Sequence, residues 1–226
     1  MNLAENRLSD LPESFPIFPL NGALLLPGGQ LPLNIFEPRY LAMVEDALSG
    51  GRLMAMIQPD KTKPPGPNGT SLMRVGCLGR LSSFAETDDG RYMITLTGVA
   101  RFEVAEELDM RRGYRCVRGD FRAFATDMLP PALPEFDRQG LLESLSLYFD
   151  HRGFSANWDA IEAMPNAGLI NSLAMACPFD PIEKQALLEA KTLLDRAETL
   201  RALLRIDSHE PPTSPESGTS PRRMAS

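Results

Sequence analysis

Pro130, Pro131 and Pro134 crowd into one short stretch and divide the chain into halves of different character. Proline lacks a backbone N–H and fixes φ, so this stretch suits neither a helix interior nor a central strand. Residues 126–136 therefore read as a connector. Before it the hydrophobic pattern is that of strands and turns with one helix; after it only helical spacing remains. The expected organisation is an N-terminal arm (1–13), a β-rich subdomain (14–125), the connector (126–136), a helical subdomain (137–206) and a tail (207–226). The tail is rich in Pro, Ser and Thr with almost no apolar groups, cannot offset chain entropy by burial, and is expected to be disordered.

Within the first half, residues 15–20 (FPIFPL) predict a strand whose two prolines remove ladder donors, which places it at a sheet edge or at bends. The run from Leu24 to Leu26 meets a Pro27-Gly28-Gly29 turn, and residues 31–36 predict a second strand. The period then changes. Tyr40, Leu41, Val44, Ala47 and Leu48 share a helix face, with Pro38 in the first turn and Gly50-Gly51 as the stop. Residues 53–57 form a short apolar strand, and the Pro/Gly-rich residues 59–70 an exposed, mobile loop, either a binding lid or a tolerated insertion. Asp89-Gly90 between the strand-like runs 73–86 and 91–97 marks a hairpin, because its tight turn needs positive φ. Gly98 breaks the run, and residues 101–104 and 114–124 supply further strands. Short strands at this spacing around one helix suggest a small closed or nearly closed barrel.

In the second half, helices are expected over 137–149 and 158–164, and a stripe of Leu169, Leu173 and Ala176 marks another, ended by Pro178. The last begins with Asp180 as N-cap, Pro181 in the first turn and Glu183 completing a capping box. Ile182, Ala186, Ala190, Leu193, Ala197, Leu200 and Leu204 then predict one continuous helix. Its alanines allow close approach of a neighbour. The same stripe could serve a coiled-coil dimer, but the preceding apolar helices need a partner and favour packing within the chain.

A net charge of −7 argues against a sequence-independent grip on nucleic-acid phosphates and against an anionic membrane surface. No run approaches the ~18 apolar residues of a membrane span, and the N-terminus has no apolar signal core, so a cytoplasmic protein is expected. The three cysteines are far apart with no C-x-x-C, which disfavours a disulfide framework or zinc site and reads as buried small hydrophobes. Of two histidines, His151 lies near a helix end and His209 in the tail. No G-x-S-x-G, H-E-x-x-H, P-loop or G-x-G-x-x-G occurs, so a non-enzymatic protein with no catalytic residues, cofactor or metal is expected. Paired carboxylates and a Ser-Lys dyad have no diagnostic spacing and stay open.

Phe36-Glu37-Pro38-Arg39-Tyr40 is the most distinctive local string. It reads either as an ion pair and ring that staple a helix to the sheet, or as the rim of a binding groove. Eleven methionines, whose flexible thioethers fill gaps and suit varied apolar ligands, add Met43. Phe36, Glu37, Arg39, Tyr40 and Met43 are the candidate polypeptide-binding residues.

The segment FPIFPLNGALLLPGGQLPLNIFEPRY, residues 15–40, resembles the opening of the Lon substrate-binding domain family, and its FEPRY ending looks most like stand-alone bacterial members. Gly76-Cys77-Leu78-Gly79-Arg80, the Asp89-Gly90-Arg91-Tyr92 turn and Gly98-x-x-Arg101-Phe102 are similar to the family in the same order. Cys177-Pro178-Phe179 and the following Glu183-Lys184-Gln185-x-Leu187-Leu188-Glu189 resemble its helical half. The likeness covers residues 14–205. It implies an α+β fold: a PUA-like β pseudo-barrel with an inserted helix, followed by a C-terminal helical bundle. It also implies a non-catalytic module for unfolded or extended polypeptide segments, taken in an apolar groove between the halves, with a role in protein quality control and a Lon- or Clp-type protease as partner. In Lon the region precedes ATPase and protease modules, and this chain is expected to stop before either. Two alternatives remain: a peptidase-like hydrolase, which predicts casein turnover, and an RNA-binding PUA-like protein, against which the acidic charge weighs.

Overall fold

The computed structural model describes residues 8–132 and 135–207. The expectations for 208–226, and for the first residues of the arm, lie outside them. Six strands, β1 (Ser14–Pro19), β2 (Gln30–Ile35), β3 (Leu53–Pro59), β4 (Leu72–Glu86), β5 (Tyr92–Arg111) and β6 (Tyr114–Asp120), form a mixed sheet in the order β2-β5-β4-β3-β1-β6, and β5 also pairs with β6. The pairing of β5, β4, β3, β1 and β6 thus closes on itself, with β2 on the first part of β5. The length of β5 allows this: residues 92–97 pair with β2, while 103–111 pair with β6. The Asp89-Gly90 hairpin joins β4 to β5, with Gly90 at φ +78°.

Two sequence expectations are corrected here. Gly98 does not end its strand. Instead β5 runs through it with a bulge, the partners stepping from Gly79↔Gly98 to Leu78↔Ala100. Nor does β1 lie at an edge, since it is inserted between β3 and β6. Its prolines are tolerated because the two pairings barely overlap. Residues 14–17 pair with β6, residues 17–19 with β3, and Ile17 alone has both neighbours. Pro16 and Pro19 each lack one neighbour, so the missing N–H breaks no ladder on that side.

Alternation along the strands sends side chains to opposite faces. Phe15, Ile17, Ala55, Ile57, Leu78 and Phe102 join one apolar cluster, with Phe15 and Phe102 packed edge to face at 4.8 Å. Phe18, Met54, Met56 and Cys77 join the larger cluster, which also takes in the helices. Helix α1 (Pro38–Ser49) buries Tyr40, Met43 and Val44 there, with Pro38 in its first turn as the sequence predicts.

After β6 the chain makes a 3-10 helix (Arg122–Met128), so the strand expected over 114–124 stops at Asp120. Then follow α2 (Arg138–Arg152), α3 (Trp158–Ala163), α4 (Asn166–Ala176), α5 (Pro181–Glu189) and α6 (Leu193–Asp207). The single last helix is thus two. Thr192 and Asp195 form a second capping box: the Asp195 N–H donates to Thr192 Oγ1 and the Thr192 N–H to Asp195 Oδ2, each at 3.0 Å. The seven-position stripe ran through two different faces. Ile182 is 70% exposed, and α5 buries Lys184, Gln185, Leu187 and Leu188 instead.

Polar side chains join helices to sheet. Gln58 Nε2 donates to Pro181 O at 2.8 Å, Gln185 Nε2 to Val75 O at 3.1 Å, and Lys184 Nζ to Gly22 O at 2.8 Å. On the other side, Tyr114 Oη donates to Asp46 Oδ2, tying β6 to α1. That bond is the main reason the Asp46 carboxyl titrates below its usual range. A carboxyl lowered on folding stabilises the protein above its unfolded value and loses that contribution as pH falls. Tyr114→Phe is therefore expected to lower stability by about 1.5–3 kcal/mol at neutral pH, as for a hydrogen bond to a charged group. Urea unfolding at a series of pH values should show the gap narrowing below about pH 4, where the unfolded-state carboxyl protonates. A gap independent of pH would deny Asp46 this role.

Candidate functional site

Where the strands, the connector and the helices meet, a cavity of about 550 Å³ remains open. Its first wall is the Pro27-Gly28-Gly29 turn, held against β5 by backbone bonds: the Gly28 N–H donates to Gly98 O and the Gly98 N–H to Gly29 O, both at 2.9 Å. The second wall is the connector, with Leu129, Pro130, Pro131 and Ala132. Ala167, Gly168, Asn171 and Ser172 of α4 form the third, and Lys191, Thr192, Leu193 and Arg196 at the start of α6 the fourth. The lining is largely apolar, with a few polar groups, as in ligand sites of ~300–1,000 Å³ generally. The prolines that separate the halves are thus part of the cavity wall.

Two buried arginines border it. Arg101, 2% exposed, breaks the alternation of β5. Its Nη2 and Nε reach the two Asp127 carboxylate oxygens at 2.7 and 2.8 Å. Its Nη1 donates to Leu188 O at 3.0 Å and to Ala190 O at 2.5 Å, and its guanidinium lies 4.3 Å from the Phe124 ring centroid. One side chain therefore joins strand, connector and the end of α5. Arg196, 4% exposed, donates Nε to Leu187 O and Nη1 to Asn171 Oδ1, both at 2.9 Å. Its Nη2 has no partner among the described residues. Burial, with Arg101 nearby, brings its pKa down to about 10, so it remains cationic at neutral pH.

None of the sequence-selected residues lines this cavity. Phe36 is 61% exposed, with the Arg91 guanidinium 5.8 Å from its ring centroid. Glu37 and Arg39 form a half-exposed ion pair at 2.8 Å. Tyr40 is buried against Phe18, the ring centroids 4.2 Å apart, and Met43 has no exposed surface at all. Met43 therefore cannot touch a ligand in this conformation, and Tyr40 acts mainly as the staple between α1 and β1. Phe36, Glu37 and Arg39 remain at the surface. The loop 59–70 does not border the cavity either; Asn68 and Thr70 pin it to Glu107 and Arg115.

The thiols offer little nucleophilic chemistry. Cys77 and Cys177 are buried, and burial pushes Cys177 up to about 12 and Cys77 higher still. Among the described residues, no group of His, Cys, Asp and Glu is arranged to hold a metal ion, and no helix is long and apolar enough to cross a membrane.

Sequence reasoning missed Arg101 and Arg196. A signal existed for both: Arg101 stands between Ala100 and Phe102 in an apolar strand, and Arg196 sits inside the stripe of Leu193, Ala197 and Leu200. A charge in either place needs buried partners.

Comparison with known proteins identifies the family and the fold. The family model described as the ATP-dependent protease La (LON) substrate-binding domain matches residues 14–205. Lon protease 2 of Myxococcus xanthus is 26% identical over 200 residues, covering 86% of this chain and 24% of that protein. The Lon protease of Desulfosudis oleivorans is 31% identical over 101 residues, covering 43% of this chain and 12% of its own length. The chain thus spans about a quarter of the length of the first of these relatives and less of the second. The crystal structure of a Lon N-terminal domain protein from Xanthomonas campestris aligns with a TM-score of 0.60 and 23% identity, covering 84% of this chain and 97% of that one. The N-terminal domain of the Mycobacterium avium complex Lon protease aligns over the same shares at 0.56 and 14%. At these identities the structural likeness concerns the fold.

Proposed function

The chain belongs to the LON substrate-binding domain family, and from that premise we propose that it is a non-catalytic module for unfolded or extended polypeptide segments. The cavity between strands, connector and helices carries the reading, because it offers an apolar, partly enclosed surface with a few fixed polar groups. A PUA-like pseudo-barrel and helical bundle would then be the two rigid bodies that shape it. Phe36, Glu37 and Arg39 are proposed as an outlying contact, where a longer client could continue over the surface. A cytoplasmic role in quality control, handing clients to a Lon- or Clp-type protease, follows from the same reading.

A titration of the purified protein with unfolded casein tests it. Saturable binding is expected, with no casein turnover and no competition by structured RNA. Casein cleavage abolished by one point mutation would replace this reading with a peptidase. Salt-dependent retention of RNA would favour the PUA-like alternative.

A further inference from the structure

We infer that the free edge of β4 joins two copies of this chain, pairing residues 82–86 of each antiparallel about a two-fold axis. This goes beyond the polypeptide-binding reading and does not depend on it. The edge follows from where β3 begins. β3 pairs with β4 only as far as Leu53↔Arg80, and the Leu81 N–H still donates to Arg52 O at 2.8 Å. Arg52 has φ +58° and turns the chain away. Residues 82–86 therefore keep β5 on one side and, among the described residues, no strand on the other. All of them are exposed. Along an antiparallel ladder, residues bonded to the neighbour alternate with residues whose backbone groups point away from it. The Thr87 N–H donates to Arg91 O at 2.9 Å, so Thr87 and Ala85 face β5, while Phe84 and Glu86 turn their N–H and C=O groups to the free side.

Sheet edges of soluble proteins are commonly blunted by proline, by lysine or by a covering element. The other free edge, β2, has Pro32 in its middle. Residues 82–86, SSFAE, have neither proline nor a cation. Charge decides the occupant. Arg52 and Arg80 stand where the free edge begins, and Glu86 and Asp88 where it ends. All four are exposed and without an ion pair among the described residues. An antiparallel copy centred on Phe84 sets Glu86 opposite Ser82 and brings Glu86 and Asp88 beside Arg52 and Arg80 of the second copy. A two-fold contact is self-complementary, so each charge match is made twice. The same centre places Phe84, 39% exposed, opposite its own copy, where the two exchange backbone bonds. Their rings, each 5.0 Å from a Tyr92 ring, then add an aromatic cross-strand pair. An unrelated extended segment would gain the backbone bonds but not this match of charges.

Sedimentation velocity of the full chain across the micromolar range tests the inference. A monomer–dimer equilibrium is expected, because a short edge makes a small interface. Phe84→Pro deletes an outward donor and the ring but no bond to β5, and should leave the chain monomeric with Tm nearly unchanged. Charge reversal supplies a second test that leaves the backbone alone. Glu86→Arg sets like charges together and should weaken the dimer at least about tenfold, and adding Arg52→Glu should restore most of the loss. A chain monomeric at every concentration overturns the inference, and so does a dimer that either variant leaves intact. If the wild-type chain is monomeric and Phe84→Pro weakens its binding of unfolded casein, the edge takes an extended client and not a second copy. Casein binding by the wild-type chain is read separately and bears on the polypeptide reading alone.

Discussion

Arg101→Met is expected to lower the unfolding free energy by about 3–5 kcal/mol, the scale for breaking a buried ion pair by removing one partner. The change leaves Asp127, whose side chain is 9% exposed, without its cation, and Leu188 O and Ala190 O without their donor. Methionine keeps much of the aliphatic stem, so the loss reports polar groups rather than a cavity. In a protein of this size 1 kcal/mol moves Tm by about 2–4 °C, so a fall of roughly 6–20 °C is expected in calorimetry. The double variant Arg101→Met/Asp127→Leu should recover a large part of it, because two apolar groups leave no stranded charge. A double variant no better than the single one would mean that the arginine acts chiefly through the Leu188 and Ala190 carbonyls. Either way the connector should loosen from the sheet, and the cavity wall it carries should loosen with it.

The elements with strong local signals were legible. Pro38 and Gly50 bracket α1, Asp180 and Glu183 begin α5, and Asp89-Gly90 turns β4 into β5, because each depends on residues a few positions apart. What escaped depends on distant neighbours. Pro16 and Pro19 point to an edge unless β6 and β3 are known to share β1 by halves. The run from Ile182 to Leu204 has helical spacing throughout, and only the Thr192–Asp195 box, a weak signal beside seven apolar positions, records the break. The site divides in the same way. The string around Tyr40 stood out because it is unusual along the chain, yet its burial follows from Phe18, remote in sequence. Residues of the cavity come from the turn after Leu26, the connector, α4 and α6, and no spacing rule joins Pro27 to Asn171, although Asn171 Nδ2 donates to Pro27 O at 3.1 Å. Family likeness supplied the overall reading but not these residues, since a binding surface made of apolar walls and buried arginines carries no compact motif.

Gly98→Ala tests whether the turn after Leu26 must lie flat on β5 for both stability and binding. A Cβ at Gly98 would come within 2.1 Å of Leu26 O and 2.7 Å of Leu26 C, backbone atoms with no rotamer to yield. The turn must lift, and the two backbone bonds that hold Gly28 and Gly29 to Gly98 lengthen or break. Overpacking together with two weakened hydrogen bonds predicts a loss of about 2–4 kcal/mol. Gly28→Ala separates this steric effect from loss of glycine flexibility: Gly28 has φ +76° but open space around its Cβ position, so strain of only about 1–2 kcal/mol is expected. Casein affinity should fall further in Gly98→Ala than in Gly28→Ala, when both are measured at a temperature where each variant is folded. Lifting the turn moves Pro27 and Gly29 off the cavity, whereas strain at Gly28 leaves the Gly98 contacts in place. Equal affinities in the two variants, despite unequal stabilities, would show that the client does not use this wall, and would move the binding surface to another face of the protein.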